Sequence, residues 1–437
     1  MHLNKNNENK KTSIINLGCR LNGYESSVID GILKDANIEN DCIVINTCAV
    51  TAEAERKSRQ IIRKLKKQNP NKKIIVTGCA AQINPKQFTE MEEVDKVIGN
   101  GLKTDKIVYQ EIANEWSNPL ILNTEKAIVN DIMSIKDTAN HLLPDIQNRS
   151  RAFLQIQNGC NHRCTFCIIP YGRGNSRSVP VAQIINNIND LIKFGYNEVV
   201  LTGVDITDYG IDLPGSPRLG NLCKRILSST NLKRLRLSSI DVAEIDEDLY
   251  DIIKTESRFM SYFHISLQSG DNLILKRMKR RHTREDVIKF CENIRKYRSD
   301  AGFGADIICG FPTESDEMFE STIKLVKECK INYIHAFTYS ARSGTPAAKM
   351  PQVLMQIRKE RTNKLIQVGD ENLAEFLQLL SKTKQSVLLE ADMTTRAENF
   401  AKIHIENKNS LLKYQIGDII SVQCVSAEKD FLIANVI

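Results

Sequence analysis

The tightest constraint on this chain is a run of eight residues, Cys160-Asn161-His162-Arg163-Cys164-Thr165-Phe166-Cys167, with three cysteines in CxxxCxxC spacing just beyond the apolar segment Ala152–Gln157. Three thiolates so close together can fold around one iron-sulfur cluster and supply only three of its four iron ligands. One iron stays open, and an amino acid-like cofactor can chelate it through amine and carboxylate. The spacing alone also admits a structural zinc site, which takes four protein ligands and for which His162 is available as the fourth.

Twelve cysteines occur in all. Residues Met1 to Lys11 are Asn/Lys-rich without the apolar segment of an export signal, and no apolar run reaches the roughly 18 residues that cross a bilayer. A cytoplasmic protein without a membrane partner is therefore expected. Reducing cytosol disfavours disulfides and leaves metal binding or catalysis as the specific uses of cysteine. Lys and Arg number 60 against 53 Asp and Glu, a mild excess of +7 that suits a polyanionic partner without requiring one.

The 437 residues predict two or three domains, in the α/β class. Residues 12–100 alternate apolar runs with helical patterns (Ser13–Cys19, Glu25–Asp35, Asp41–Cys48, Ala52–Gln68, Lys73–Cys79, Pro85–Glu92), the pattern of an open parallel sheet with helices, and a first domain over 12–125 is expected. The pattern weakens between Thr104 and Arg151, and the polar stretch Asp145–Ser150 reads as a linker. Residues 146–375 carry six candidate strands, Ala152–Gln157, Glu198–Gly203, Lys233–Ser238, Tyr262–Gln268, Gly304–Cys309 and Tyr333–Tyr339. Six such β-α units predict a partial (β/α)6 barrel working at the carboxyl ends of its strands. Residues 380–437 hold short β-like runs at Val387–Glu390, Ala401–Ile405, Ile419–Cys424 and Phe431–Val436, which predict a small β-barrel.

Cys19, Cys48 and Cys79 each close an apolar run, at separations of 29 and 31 residues, one β-α unit apart. In a parallel sheet those strand ends lie along one edge, where open α/β folds place ligands. Spacing leaves a second cluster and three buried small hydrophobes both open. Cys42 starts its strand and so lies at the wrong edge. Cys223, Cys291, Cys309, Cys329 and Cys424 lack ligand spacing and read as core.

The wording around these residues narrows the choice. CxxxCxxC resembles the mark of the radical S-adenosylmethionine superfamily. Leu17-Gly18-Cys19-Arg20-Leu21-Asn22, Asn46-Thr47-Cys48-Ala49-Val50-Thr51 and Thr77-Gly78-Cys79-Ala80 resemble the three signatures of its methylthiotransferase family. The resemblance runs from about Ser13 into the tail, which is similar to the family's RNA-binding TRAM domain. It implies two 4Fe-4S clusters, one on Cys160, Cys164 and Cys167 and an auxiliary one on Cys19, Cys48 and Cys79, together with S-adenosyl-L-methionine. It further implies a cofactor pocket at Gly203, Asp205, Ser238, Ser239, Gln268 and Asp306.

In that family one S-adenosylmethionine methylates a sulfur at the auxiliary cluster, and a second yields a 5′-deoxyadenosyl radical that takes hydrogen from carbon 2 of adenine. Ala54-Glu55-Arg56-Lys57-Ser58-Arg59 and the Arg173–Ser178 stretch resemble the branch acting on threonylcarbamoyladenosine at position 37, beside the anticodon. The implied partners are a tRNA anticodon stem-loop and an external flavodoxin- or ferredoxin-like electron donor. Sister branches modify isopentenyladenosine or a ribosomal-protein aspartate, and a noncatalytic iron-sulfur RNA-binding protein is the remaining alternative. The basic helix from Arg56 to Lys67 and the run Lys276–Arg284 are candidate phosphate contacts. Gly172-Arg173-Gly174 lacks the strand-turn-helix context of a phosphate loop.

Overall fold

The computed structural model describes residues 13–118, 125–135, 150–391 and 393–437. The expected linker Asp145–Ser150 lies outside the described residues but for Ser150. Two compact units emerge: Met1–Asp145 together with Ile168–Asn175, and Ile146–Cys167 together with Ser176–Ile437.

The first unit is built on a five-stranded sheet, Ile14–Asn16, Cys42–Thr47, Lys73–Gly78, Lys96–Ile98 and Ala127–Ile128, wholly parallel and ordered as in the chain. Alternate residues of the central strands face opposite ways, so both sheet faces are apolar and need cover. Ile43, Ile45, Ile74 and Val76 pack with Ile62 and Phe88, while Val44 and Ile75 pack with Ile29, Leu33, Tyr109 and Ile112. Ala52–Gln68 is a helix capped by the Thr51 side chain, with Glu53 and Glu55 in its first turn and Lys66 and Lys67 in its last, each sign facing the favourable end of the dipole. The preceding helix begins at Arg20, earlier than the apolar period from Glu25 indicates, because Asn22 and Glu25 are buried polar residues that periodicity does not register.

The second unit contains the six expected barrel strands, now bounded as Ala152–Gln155, Glu198–Thr202, Arg234–Leu237 with its continuation Ser239–Ile240, Tyr262–Gln268, Gly302–Cys309 and Tyr333–Thr338. All pair in parallel. The third strand breaks at Ser238, pairing below the break with Glu198–Thr202 and above it with Tyr262–Gln268. On the outer face Phe263, Phe290 and Phe303 interlock at centroid distances of 5.9–6.3 Å.

The tail closes into a barrel in the order Lys384–Leu389, Thr394–Ala397, Lys402–Ile405, Leu432–Val436, Ile419–Ala427. Thr394–Ala397 is a strand beyond the four expected. Its inward residues, Thr395 and Ala397, are fully buried but small and make no apolar run. The 26-residue helix Met355–Leu380 places Phe376, Leu377 and Leu380 in this barrel's core.

A buried charge cluster joins the amino ends of the β/α strands to the tail barrel. The Glu198 carboxylate, wholly buried, meets Arg151 at 2.8 Å, Arg236 at 3.2 Å and Arg234 at 3.6 Å. Arg236 also donates to the Glu398 carbonyl (3.0 Å), Arg234 to Ser386 Oγ (2.7 Å), and Arg151 pairs with Glu390 (2.7 Å). Phe400 lies among Arg396, Arg236 and Arg151, and its ring stacks on Tyr262 at 4.7 Å. Gly302 makes the approach possible, since a Cβ there would stand 2.3 Å from the Asn399 carbonyl. Burial alone would raise the Glu198 carboxyl, but the arginines, Arg236 foremost, hold it down at about 2. Removing one member of a buried ion cluster strands the others, at about 3–5 kcal/mol. Glu198→Gln is therefore expected to lower unfolding free energy by roughly that amount, read from urea titrations of the full chain.

Candidate functional site

In the first unit the register sets the cysteines. Asn16, Asn46 and Thr77 are aligned across three strands, as are Thr47 and Gly78, so Cys48 and Cys79 directly follow register partners and Cys19 lies three residues past Asn16. Adjacent parallel strands lie about 4.8 Å apart, which brings the three thiols to one edge. Below them is a polar layer: Asn22 Nδ2 donates to Asn46 Oδ1 (3.0 Å) and the Thr47 carbonyl (3.1 Å), Asn46 Nδ2 to the Asn22 carbonyl (3.1 Å), and Thr47 Oγ1 to the Thr77 carbonyl (2.6 Å). Gly78 has φ +99°, and a Cβ there would stand 2.3 Å from the Thr47 carbonyl. Cys19 occupies the N-cap of the Arg20–Asp35 helix, an end that favours negative charge.

The thiol edge rests against buried charges. Arg173 Nη1 and Nη2 hold the Glu25 carboxylate at 2.9 and 3.0 Å, Arg173 Nη2 reaches Asn22 Oδ1 at 2.5 Å, and Lys103 Nζ pairs with Glu25 at 2.5 Å. All three charged residues are buried. Burial acts against the charge of Glu25, but Arg173 first and then Lys103 outweigh it and bring the carboxyl down to about 2. Asn100 Nδ2 donates to Cys79 Sγ (3.4 Å) and to the Gly172 carbonyl, and a Cβ on Gly172 would stand 3.2 Å from that of Cys79. The Cys48 thiol is pushed up to about 12, by burial first and then by Cys79, with Cys19 adding to it. Cys79 is buried, Cys48 half-buried and Cys19 exposed, and a thiol held up as Cys48 is gives up its proton most readily to a cation bound beside it, so this donor set fits a metal cluster.

In the second unit, the loop after Ala152–Gln155 carries Cys160, Cys164 and Cys167. Gln157, fully buried, is its anchor: Nε2 donates to the Gly159 carbonyl (2.8 Å) and Ser176 Oγ (2.9 Å), while Oε1 accepts from the amides of Val204 (3.0 Å) and Asp205 (2.9 Å). Thr165 ties the loop to the Met278 and Arg277 carbonyls. Arg280 Nη1 lies 3.8 Å from Cys164 Sγ, and Arg280 Nη2 is held by Asp241 at 2.7 Å. Burial and then Asp205 raise the Cys160 thiol, and Cys167 and Cys164 add to this, so the triad again calls for a cation. His162, the fourth ligand of the zinc alternative, is hydrogen-bonded to Asp205 (2.9 Å) and Glu244, which lift its pKa to about 10 against burial and the nearby Arg281, and Cys160, His162 and Asp205 lie close enough together to share a cation.

The six expected cofactor-pocket residues divide. Gly203 faces Gln157, whose carbonyl would stand 2.7 Å from a Cβ, so this position admits Gln157 as much as any ligand. Asp205 lies 3.5 Å from Cys160 Sγ and accepts from His162 and Thr207. Ser238 is buried at the break in the third strand and Ser239 follows it half-buried. Gln268 ends its strand in the left-handed region, with φ +66°. Asp306 lies in mid-strand and accepts from two imidazoles, His264 Nε2 at 2.9 Å and His335 Nδ1 at 3.1 Å.

Cys42, Cys223, Cys291, Cys309, Cys329 and Cys424 are buried. The run Lys276–Arg284 turns inward for the most part. Arg277 binds Thr313, Arg280 binds Asp241 and the Ser266 carbonyl, Arg281 pairs with Glu244, the buried His282 with Asp241, and Arg284 with Glu328. Lys276 and Lys279 are exposed, as are Arg56, Lys57, Arg63, Lys64 and Lys67 of the earlier helix. Sequence reasoning missed Glu25, Lys103, Asn100, Gln157, His264 and His335, gave Arg173 no role and read Arg280 only as a phosphate contact, because these residues meet partners that spacing along the chain does not signal.

Comparison with known proteins bears on these sites. A family model described as the radical SAM superfamily matches residues 154–326, and one described as uncharacterized protein family UPF0004 matches residues 11–99. The chain is 50% identical over 426 residues to the threonylcarbamoyladenosine tRNA methylthiotransferase MtaB of Rickettsia prowazekii, covering 97% of each. It is 31% identical to the tRNA-2-methylthio-N(6)-dimethylallyladenosine synthase of Clostridium novyi, covering 99% of this chain and 98% of that one. Among solved structures it is similar in fold to the radical S-adenosylmethionine methyltransferase TsrM of Kitasatospora setae, with TM-score 0.55 and 13% identity over 77% of this chain and 76% of that one. No helix among the described residues is long and apolar enough to cross a membrane.

The charge balance under Cys79 gives a pH test. The folded-state pKa of Glu25 is depressed, so its contribution is complete above its ordinary 4.5 and is lost as pH falls from there toward 2. In urea titrations of iron-free protein, wild type is expected to lose stability across that window. Glu25→Gln should start about 3–5 kcal/mol lower at neutral pH and show a shallower acid slope.

Proposed function

This chain belongs to the threonylcarbamoyladenosine tRNA methylthiotransferases of the radical S-adenosylmethionine superfamily, and from that premise we propose that it converts threonylcarbamoyladenosine at position 37, next to the anticodon, to its 2-methylthio derivative. Cys160, Cys164 and Cys167 hold the 4Fe-4S cluster that takes S-adenosylmethionine on its open iron. Cys19, Cys48 and Cys79 hold a second 4Fe-4S cluster as the sulfur donor. When bound, these groups supply a one-electron cleavage of the sulfonium and a transferable sulfur, chemistry beyond any side-chain base acting on carbon 2 of adenine.

The protein's own part is binding and orientation. Gln157 fixes the first cysteine loop against residues 203–205, and Arg280, with its charge held by Asp241, faces Cys164. Arg173 brings positive charge to the other triad. Gly203, Asp205, Ser238, Ser239, Gln268 and Asp306 are the proposed contacts of S-adenosylmethionine. Functional domains over 12–125, 146–375 and 380–437 divide the work, the last as an RNA-binding barrel on the anticodon stem-loop. An external reductant is required, and a flavodoxin- or ferredoxin-like protein is the proposed donor.

One observation carries the reading beyond the superfamily: a second set of three thiols, 29 and 31 residues apart, is gathered by strand register onto one edge of its own compact unit. Anaerobically reconstituted protein is expected to hold about eight irons. Changing Cys19, Cys48 and Cys79 together to alanine should leave about four and preserve 5′-deoxyadenosine formation while abolishing methylthiolation of tRNA. Changing Cys160, Cys164 and Cys167 should abolish both activities. Full iron content in the first variant, or tRNA nucleosides without the methylthio group after reaction with wild type, would overturn the reading.

A further inference from the structure

Strand Tyr333–Thr338 presents two unlike faces. Ile334, Ala336 and Thr338 turn toward the Met355–Leu380 helix, as the Thr338 Oγ1 to Thr362 Oγ1 hydrogen bond (2.9 Å) and the packing of Ile334 on Gly369 establish. His335 and Phe337 have the opposite parity and face the concave side of the sheet, where they are 54% and 40% exposed. An exposed ring two residues from an exposed imidazole is an unusual pair to leave on the inner face of a barrel.

His335 is held from behind by a chain of groups. Its Nδ1 lies 3.1 Å from Asp306 Oδ1, which also meets His264 Nε2 at 2.9 Å, and His264 Nδ1 is 3.0 Å from the Tyr262 hydroxyl. Gly304 has no side chain to obstruct this, since a Cβ there would stand 2.3 Å from the Tyr262 hydroxyl. Tyr262 in turn stacks on Phe400. With Asp306 accepting from both rings, the Nε2 of His335 is left without a partner among the described residues, aimed away from its carboxylate.

We propose that this pair seats the modified base: Phe337 lies under the adenine ring, and His335, its Nδ1 held by Asp306, meets the carboxylate of the threonylcarbamoyl group at Nε2. This rests on the reading of the substrate above, which bears one carboxylate that unmodified adenosine lacks. A charge-assisted hydrogen bond is stronger than a neutral one, and base stacking on an aromatic ring tolerates any base. His335 thus confers selectivity and Phe337 general affinity. Two imidazoles and a carboxylate are also a divalent-metal donor set, but here both rings already donate to the carboxylate.

The test uses full-length reconstituted protein and two synthetic anticodon stem-loop RNAs, one with threonylcarbamoyladenosine and one with adenosine at position 37. By fluorescence anisotropy, wild type is expected to prefer the first roughly tenfold. His335→Gln should erase the preference by weakening that RNA alone, and should raise KM for methylthiolation with kcat little changed. Phe337→Ala should weaken both RNAs roughly tenfold, and Phe337→Tyr should restore them. Thermal melts establish that each variant is folded. An intact preference and KM in folded His335→Gln, or a zinc ion held by wild type and lost in that variant, overturns this inference while leaving the substrate reading in place. Wild type that methylthiolates neither RNA overturns the substrate reading itself.

Discussion

Parallel strands in register end side by side, and the chemistry of this molecule depends on that. In the first unit three thiols separated by whole β-α units reach one edge only because Asn16, Asn46 and Thr77 are level. A slip of one residue would turn every neighbouring side chain to the other sheet face and shift one thiol out of line with its partners. The polar layer of Asn22, Asn46, Thr47 and Thr77 guards that alignment with side-chain bonds that an apolar layer could not make direction-specific. In the second unit the same rule brings Asp205 from the next strand end to Cys160, with Gln157 bonding both loops.

Negative charge is the second theme. Buried ion pairs contribute little net stability against well-packed apolar residues, and their use is to fix geometry. Glu25 fixes Arg173 beside the thiol edge, and Glu198 fixes three arginines at the joint between barrel and tail. Arg280 with Asp241 does the same beside Cys164. At each place a carboxylate holds a cation where a thiolate or a packed ring meets it.

Much of this was legible in the sequence, for identifiable reasons. The first five barrel strands show as apolar runs because their faces are largely covered, the sixth, Tyr333–Thr338, shows as one although its inner face is partly exposed, and CxxxCxxC is local. Cys19, Cys48 and Cys79 were legible because each ends such a run. The Thr394–Ala397 strand was not, since its buried residues are a threonine and an alanine. Glu25 and Arg173 lie 148 residues apart, and His264, Asp306 and His335 lie on three strands, so no spacing rule joins them. The basic run Lys276–Arg284 reads as a surface feature by composition, yet half of its six lysines and arginines, Arg280, Arg281 and Arg284, are matched by acids contributed from elsewhere in the chain.

The segment Ile168–Asn175 has a consequence of its own. It belongs to the first compact unit although the residues on either side, Cys167 and Ser176, belong to the second. Arg173 lies in it, so a nascent chain leaving the ribosome has Glu25 and Lys103 some seventy residues or more before it has the guanidinium that joins them. The amino-terminal unit is therefore discontinuous in the chain, and a cut at Asp145 would leave Glu25 without its Arg173 partner. Its last structural part arrives only after the CxxxCxxC loop has been synthesised.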